Sequence, residues 1–129
     1  FEFLQTLDGT SGRVGATGFC YGGGVVNKLA VAYPELAAGV PFYGAAVPAD
    51  QVPAIQAPLM IQLAALDRRI NAMWPAYQKA LEDNDKRYSA HIYPDVNHGF
   101  HNDTTPRYDA AAADLAEERM IAWFQTYLA

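Results

Sequence analysis

A sulfur, a carboxylate and an imidazole stand out along this chain, because each follows an apolar run that reads as a β-strand. They are Cys20 in Gly18-Phe19-Cys20-Tyr21-Gly22, Asp67 directly after Met60 to Leu66, and His98 in Pro94-Asp95-Val96-Asn97-His98-Gly99-Phe100. A thiolate is a strong nucleophile, an imidazole moves protons near neutral pH, and a carboxylate behind the imidazole fixes its tautomer. In the order nucleophile, acid, base, separated by 47 and 31 residues, the three could perform covalent catalysis at an acyl carbon.

The glycines around Cys20 admit several readings. A dinucleotide fingerprint needs G-x-G-x-x-G, whereas the glycines here fall at 15, 18, 22, 23 and 24. A phosphate loop needs Lys and then Ser or Thr after its second glycine, and Gly23 is followed by Gly24 and Val25. The pattern that fits is a nucleophile elbow, G-x-Nuc-x-G, with Cys20 as nucleophile. So tight a turn strains the nucleophile's backbone and requires small residues two before and two after it, here Gly18 and Gly22. The helix that follows is expected to lower the thiol pKa, and the backbone N–H of Tyr21 would face a developing oxyanion. The competing reading is a lone cysteine that packs as a small apolar residue in a glycine-rich turn.

Asp67 reads equally as the N-cap of a helix over the following residues, and the two roles are compatible. His91 falls inside a strand, where a packing or surface position is expected, and His101 reads as a polar loop residue. His98-x-x-His101 with Asp95 or Asp103 matches no helical or finger spacing for a metal. Tyr21, Tyr43, Trp74 and Phe100 are candidates for the pocket wall, each with packing as the competing role.

Elements that could bring the three groups together are legible. Gly12–Phe19 reads as a strand, Val25–Tyr33 as a helix stopped by Pro34, and Leu36–Gly44 as a second strand that carries the awkward Pro41. The proline-punctuated segment Ala45–Pro58 predicts an irregular connection, and Pro58–Ala65 a strand buried on both faces. Ile70–Asn84 predicts one helix with Met73, Tyr77, Ala80 and Leu81 on a single face, and Arg87–Pro94 a strand. The steps through Ala112, Ala116, Met120, Trp123 and Tyr127 predict a closing amphipathic helix. Strands alternating with helices imply an α/β fold, a mostly parallel sheet flanked by helices, with chemistry at the carboxyl ends of its strands.

With 129 residues, 51% of them apolar, the chain can bury a core. Its 14 acidic against 9 basic residues give a formal charge of −5, and the basic residues cluster no further than Arg68-Arg69 and Lys86-Arg87, which argues against a nucleic-acid partner. No apolar run reaches the roughly 18 residues of a membrane span. A single cysteine makes no internal disulfide. The start, Phe1-Glu2-Phe3, has no basic region of a signal peptide, so the cytoplasm is the expected compartment unless an address lies upstream.

Gly18-Phe19-Cys20-Tyr21-Gly22-Gly23, Asn97-His98-Gly99-Phe100, Leu66-Asp67-Arg68-Arg69-Ile70-Asn71 and the segment from Thr105 to Leu128 together resemble the dienelactone hydrolase family, a branch of the α/β-hydrolases. The resemblance runs from about Gly12 to the end of the chain. It implies a triad of Cys20, His98 and Asp67 that hydrolyses a small ester or lactone without metal or organic cofactor. It also implies an arginine four residues beyond the base, where this chain has Asn102, so a broader esterase is expected rather than a dienelactone specialist. The whole chain, 1–129, is expected to be the C-terminal portion of one such domain. The family's early strands, a glutamate facing the resting cysteine and the loop with the second oxyanion donor would lie before Phe1. A chain with one oxyanion donor is expected to turn over more slowly by on the order of 10² to 10³. Its bare sheet edge is expected to recruit a second copy or a partner segment. The alternatives are a non-catalytic fragment that serves only in assembly, and a redox-sensing thiol.

Overall fold

The computed structural model describes all residues from Phe1 to Ala129. Four parallel strands lie side by side in sequence order: β1 (Gly15–Phe19), β2 (Ala38–Phe42), β3 (Leu59–Ala64) and β4 (Tyr88–Tyr93). Every residue of β2 and β3 is buried, as expected of apolar strands covered on both faces, and Gln62 is the one polar residue among them. Pro41 occupies the middle of β2. Gly39 and Tyr43 donate backbone hydrogen bonds to Pro58 and Gln62 on either side of it, so Pro41 leaves the β2–β3 ladder one donor short between two intact bonds.

A short α1 (Glu2–Gln5) precedes the sheet, and α2 (Tyr21–Ala32) follows β1 directly. The Ala45–Pro58 connection contains a 3₁₀ turn at Ala49–Ala54. The single helix expected over Ile70–Asn84 is two, α3 (Arg68–Asn71) and α4 (Trp74–Asp83). Pro75, without an N–H to continue a helix from before it, sits in the first turn of α4, so the chain restarts there. In consequence Trp74 turns inward beside Tyr77 and Leu81, while Met73 is left 37% exposed. Finally α5 (Ala110–Leu128) starts from Asp109, whose carboxylate accepts the Ala112 N–H at 2.9 Å.

The helices cover both faces of the sheet. On one, Ala30 of α2 and Trp74, Tyr77 and Leu81 of α4 close over Leu59, Ile61 and Leu63. On the other, Ala116, Met120 and Trp123 of α5 close over Phe42, Met60 and Tyr93. Gln62 lies within this second layer, where it accepts from the Tyr93 hydroxyl at 2.6 Å and donates to the carbonyl of Ala116 at 3.2 Å. No helix is long and apolar enough to cross a membrane.

Candidate active site

Where β1 gives way to α2, the backbone turns through a single residue. Cys20 has φ 56° and ψ −120°, left-handed for a side-chain-bearing residue, and the sheet holds it there through its N–H, which donates to Phe42 at 3.1 Å. The glycine requirement differs from the expected pair. A Cβ on Gly18 would stand 2.3 Å from the carbonyl oxygen of Gly22, and one on Gly23 would stand 2.4 Å from that of Phe42. A Cβ on Gly22 would meet nothing within 4 Å. Small residues are therefore required at Gly18 and Gly23, while Gly22 contributes only its backbone. The N–H of Tyr21, at the start of α2, donates to no acceptor in the chain.

Asp67 and His98 are brought together by two clamped loops. The N–H groups of Ala65 and Leu66, past β3, donate to Tyr93 at 2.9 Å and Val96 at 3.0 Å, past β4. On these loops Asp67 Oδ2 lies 2.6 Å from His98 Nδ1. The other carboxylate oxygen accepts the Ile70 N–H at 3.2 Å, so Asp67 caps α3 while it holds the imidazole. Asp67 is 6% exposed, and the His98 side chain 23%.

Cys20 and His98 line one cleft of about 230 Å³ with Tyr21, Lys28, Ala45 and Arg69. No hydrogen bond joins the sulfur to the imidazole in the structure. Burial pushes the Cys20 thiol up, and the Asp67 charge adds to this, against Arg107 and Arg69, which favour the thiolate. The thiol is thus raised where the helix end was expected to lower it, with burial as the main cause.

The remaining candidates part company. His101 leaves the His98 cleft, stacks on Phe19 at 5.0 Å and lies 3.7 Å from Glu117. His91 is half-buried on β4 beside the Ser89 hydroxyl, at 3.3 Å. Trp74 and Phe100 are core residues, Tyr21 is exposed at the cleft mouth, and Tyr43 is buried beside Cys20. The cations around the sulfur were not singled out by spacing. Lys28 and Arg69 enter from α2 and α3, and the Arg107 guanidinium lies over Gly99.

Comparison with known proteins bears on this arrangement. The model of the dienelactone hydrolase family matches residues 1–128. The chain belongs to this family. Among its relatives, a protein of Escherichia coli O157:H7 provisionally named carboxymethylenebutenolidase is 31% identical over 126 residues, 89% of this chain and 46% of that protein. Carboxymethylenebutenolidase 1 of Cupriavidus pinatubonensis is 29% identical over 122 residues, 93% of this chain and 51% of that protein. A solved structure from Klebsiella pneumoniae subsp. pneumoniae MGH 78578, provisionally titled a dienelactone hydrolase, superposes with a TM-score of 0.82 at 28% identity. That match covers 88% of this chain and 52% of the solved one. The chain thus has the α/β-hydrolase fold of the dienelactone hydrolase family and spans about half the length of the relatives it matches.

Proposed function

We propose that the protein carrying this chain hydrolyses a small ester or lactone, with Cys20 as nucleophile, His98 as proton carrier, Asp67 as the carboxylate that orients it, and the Tyr21 N–H as oxyanion donor. The observation that carries this reading is the 2.6 Å contact of Asp67 with His98 beside a strained Cys20 in the same cleft. Names borne by the relatives support the substrate class, and Lys28 and Arg69 in a cleft wall without an acidic side chain support an ester that itself carries negative charge.

In this scheme His98 takes the thiol proton, and the sulfur forms a bond to the carbonyl carbon. The carbonyl oxygen, now negative, accepts from the Tyr21 N–H. The carbon–oxygen bond then breaks and His98 delivers the proton to the departing alkoxide, leaving a thioester. His98 next draws a proton from water as the hydroxide adds to the thioester carbon. The carbon–sulfur bond breaks, the acid departs, and the sulfur recovers its proton. We propose further that the open edge of β1 is covered by another strand, from a partner segment or a second copy, because β1 pairs on one side only and bears no charge.

Aryl-ester turnover by the protein and by Cys20→Ala tests the reaction. Loss of turnover by on the order of 10³ or more is expected of a covalent nucleophile, together with a thioester intermediate trapped on wild type by acid quench. Undiminished turnover in the alanine variant overturns the assignment of Cys20, and a wild-type protein without turnover favours the assembly reading.

A further inference from the structure

Tyr43 carries two costs that its neighbours do not. It follows β2 with φ 34°, a left-handed backbone that side-chain-bearing residues rarely adopt. Its side chain is buried to 1% exposure among Phe42, Phe100 and the His98 ring, yet its hydroxyl donates to no acceptor in the protein. A phenylalanine would fill the same space without stranding a polar atom, as Phe42 and Phe100 do on either side. Strain and an orphaned donor at one residue call for a function.

The sheet register places Tyr43 beside Cys20. Phe19 of β1 pairs with Phe42 of β2, so Cys20 and Tyr43 are the next residues on two adjacent strands, and both are left-handed. Adjacent strands run about 4.8 Å apart. Cys20 packs against the apolar cluster that contains Tyr43, and the two line a second cleft of about 290 Å³ with Phe19, His101, Asn102 and Asp103, apart from the cleft shared with His98.

From this placement we infer that the Tyr43 hydroxyl is the hydrogen-bond donor to the Cys20 sulfur in its charged form. The inference rests on the reading of Cys20 as the reacting group and adds the partner that makes its thiolate attainable. Burial pushes the Tyr43 phenol up to about 12, with the Cys20 charge adding to the rise and the His101 N–H and Arg107 opposing it. The phenol therefore keeps its proton across the working range and has it available to donate. The thiol needs such a donor, since burial and Asp67 disfavour its charge and only Arg107 and Arg69 assist it. His98 shares the other cleft with Cys20, and His101 shares this one.

The test is the pH dependence of iodoacetamide alkylation at Cys20, read by peptide mass in the protein that carries this chain, for wild type, Tyr43→Phe and Tyr21→Phe. In Tyr43→Phe the midpoint moves up by about 1 pH unit, the equivalent of one hydrogen bond to a charged acceptor. It stays in place in Tyr21→Phe. Thermal unfolding gives the second readout. Tyr43→Phe melts at or above the wild-type temperature, because it removes an unpaired buried hydroxyl, whereas a hydroxyl with a structural role would lower it. An unmoved midpoint in Tyr43→Phe, or an equal move in Tyr21→Phe, overturns the inference. Should Tyr43→Phe not fold, 3-fluorotyrosine at position 43, a stronger donor of nearly the same shape, lowers the midpoint if the contact exists and leaves it unchanged if it does not. Alkylation reads the sulfur without turnover, so this outcome stands apart from that of Cys20→Ala, which tests the reaction.

Discussion

The carboxylate of Asp67 divides its oxygens between an imidazole and a helix end, and the two duties can be separated by substitution. Asparagine is as good an N-cap as aspartate, because its amide oxygen accepts the same N–H. It cannot supply the charge that stabilises an imidazolium, and its amide favours the wrong tautomer of His98. In Asp67→Asn, therefore, the unfolding temperature stays near wild type, while ester turnover falls by on the order of 10³ to 10⁴. Asp67→Ala loses the cap as well, costing about 0.5 to 2 kcal/mol in denaturant titrations. Should Asp67→Asn retain full turnover with a stable fold, the carboxylate is only a cap. The sequence offered both roles as compatible, because an Asp after a buried strand and before a helix fits either, and in the structure one carboxylate contacts both the imidazole and the helix end. That depends on the backbone bonds joining the loops past β3 and β4. The raised Cys20 thiol and the orphaned Tyr43 hydroxyl were hidden for a related reason: both arise from how fully neighbouring strands bury a group, which spacing along one strand does not record.

Among the elements, the β1–α2 turn shows what the glycines are for. Gly18 lets the turn fold back on itself, with the Gly22 carbonyl oxygen 2.3 Å from the place a Cβ would take. Backbone cannot move aside as a flexible side chain does, so Gly18→Ala forces the turn open, at a cost of roughly 1 to 3 kcal/mol or more. Gly22→Ala adds a methyl where nothing lies within 4 Å, inside a helix, and should stabilise by up to about 1 kcal/mol. Denaturant unfolding of the two variants gives opposite signs on this account, and equal destabilisation would show that both glycines are packed. The larger elements were readable because each has one dominant pattern: an apolar run for β2, a run broken only by Gln62 for β3, and steps of three and four for α5. The exception, one expected helix over Ile70–Asn84, followed the apolar spacing past Pro75, where the missing N–H overrules it. Pro41 is the opposite case, a proline kept inside the sheet, where it leaves the β2–β3 ladder one donor short while Gly39 and Tyr43 still bond β3 on either side of it.

At the scale of the whole molecule, the unequal edges of the sheet decide how the chain meets its surroundings. Side by side in the order β1, β2, β3, β4, the strands leave β1 unpaired along one edge, and that strand is Gly-Ala-Thr-Gly-Phe, without a charge, a proline or a bulge to discourage pairing. Phe19 at its end is 39% exposed although it stacks on Phe42 and His101. Such an edge favours pairing with a further strand, and for the 129-residue chain alone that strand would come from another copy. Analytical ultracentrifugation of this chain should show association that grows with concentration. Thr17 is the exposed residue at mid-strand, and its hydroxyl bonds to the Val40 carbonyl at 2.9 Å, on the paired side. Thr17→Lys puts a charge on the open edge at the cost of that one bond, and should shift the sedimentation profile toward monomer. A wild-type chain that stays monomeric at about 100 μM, within the range where exposed edges aggregate, would show instead that β1 is capped by its own surroundings and needs no partner strand.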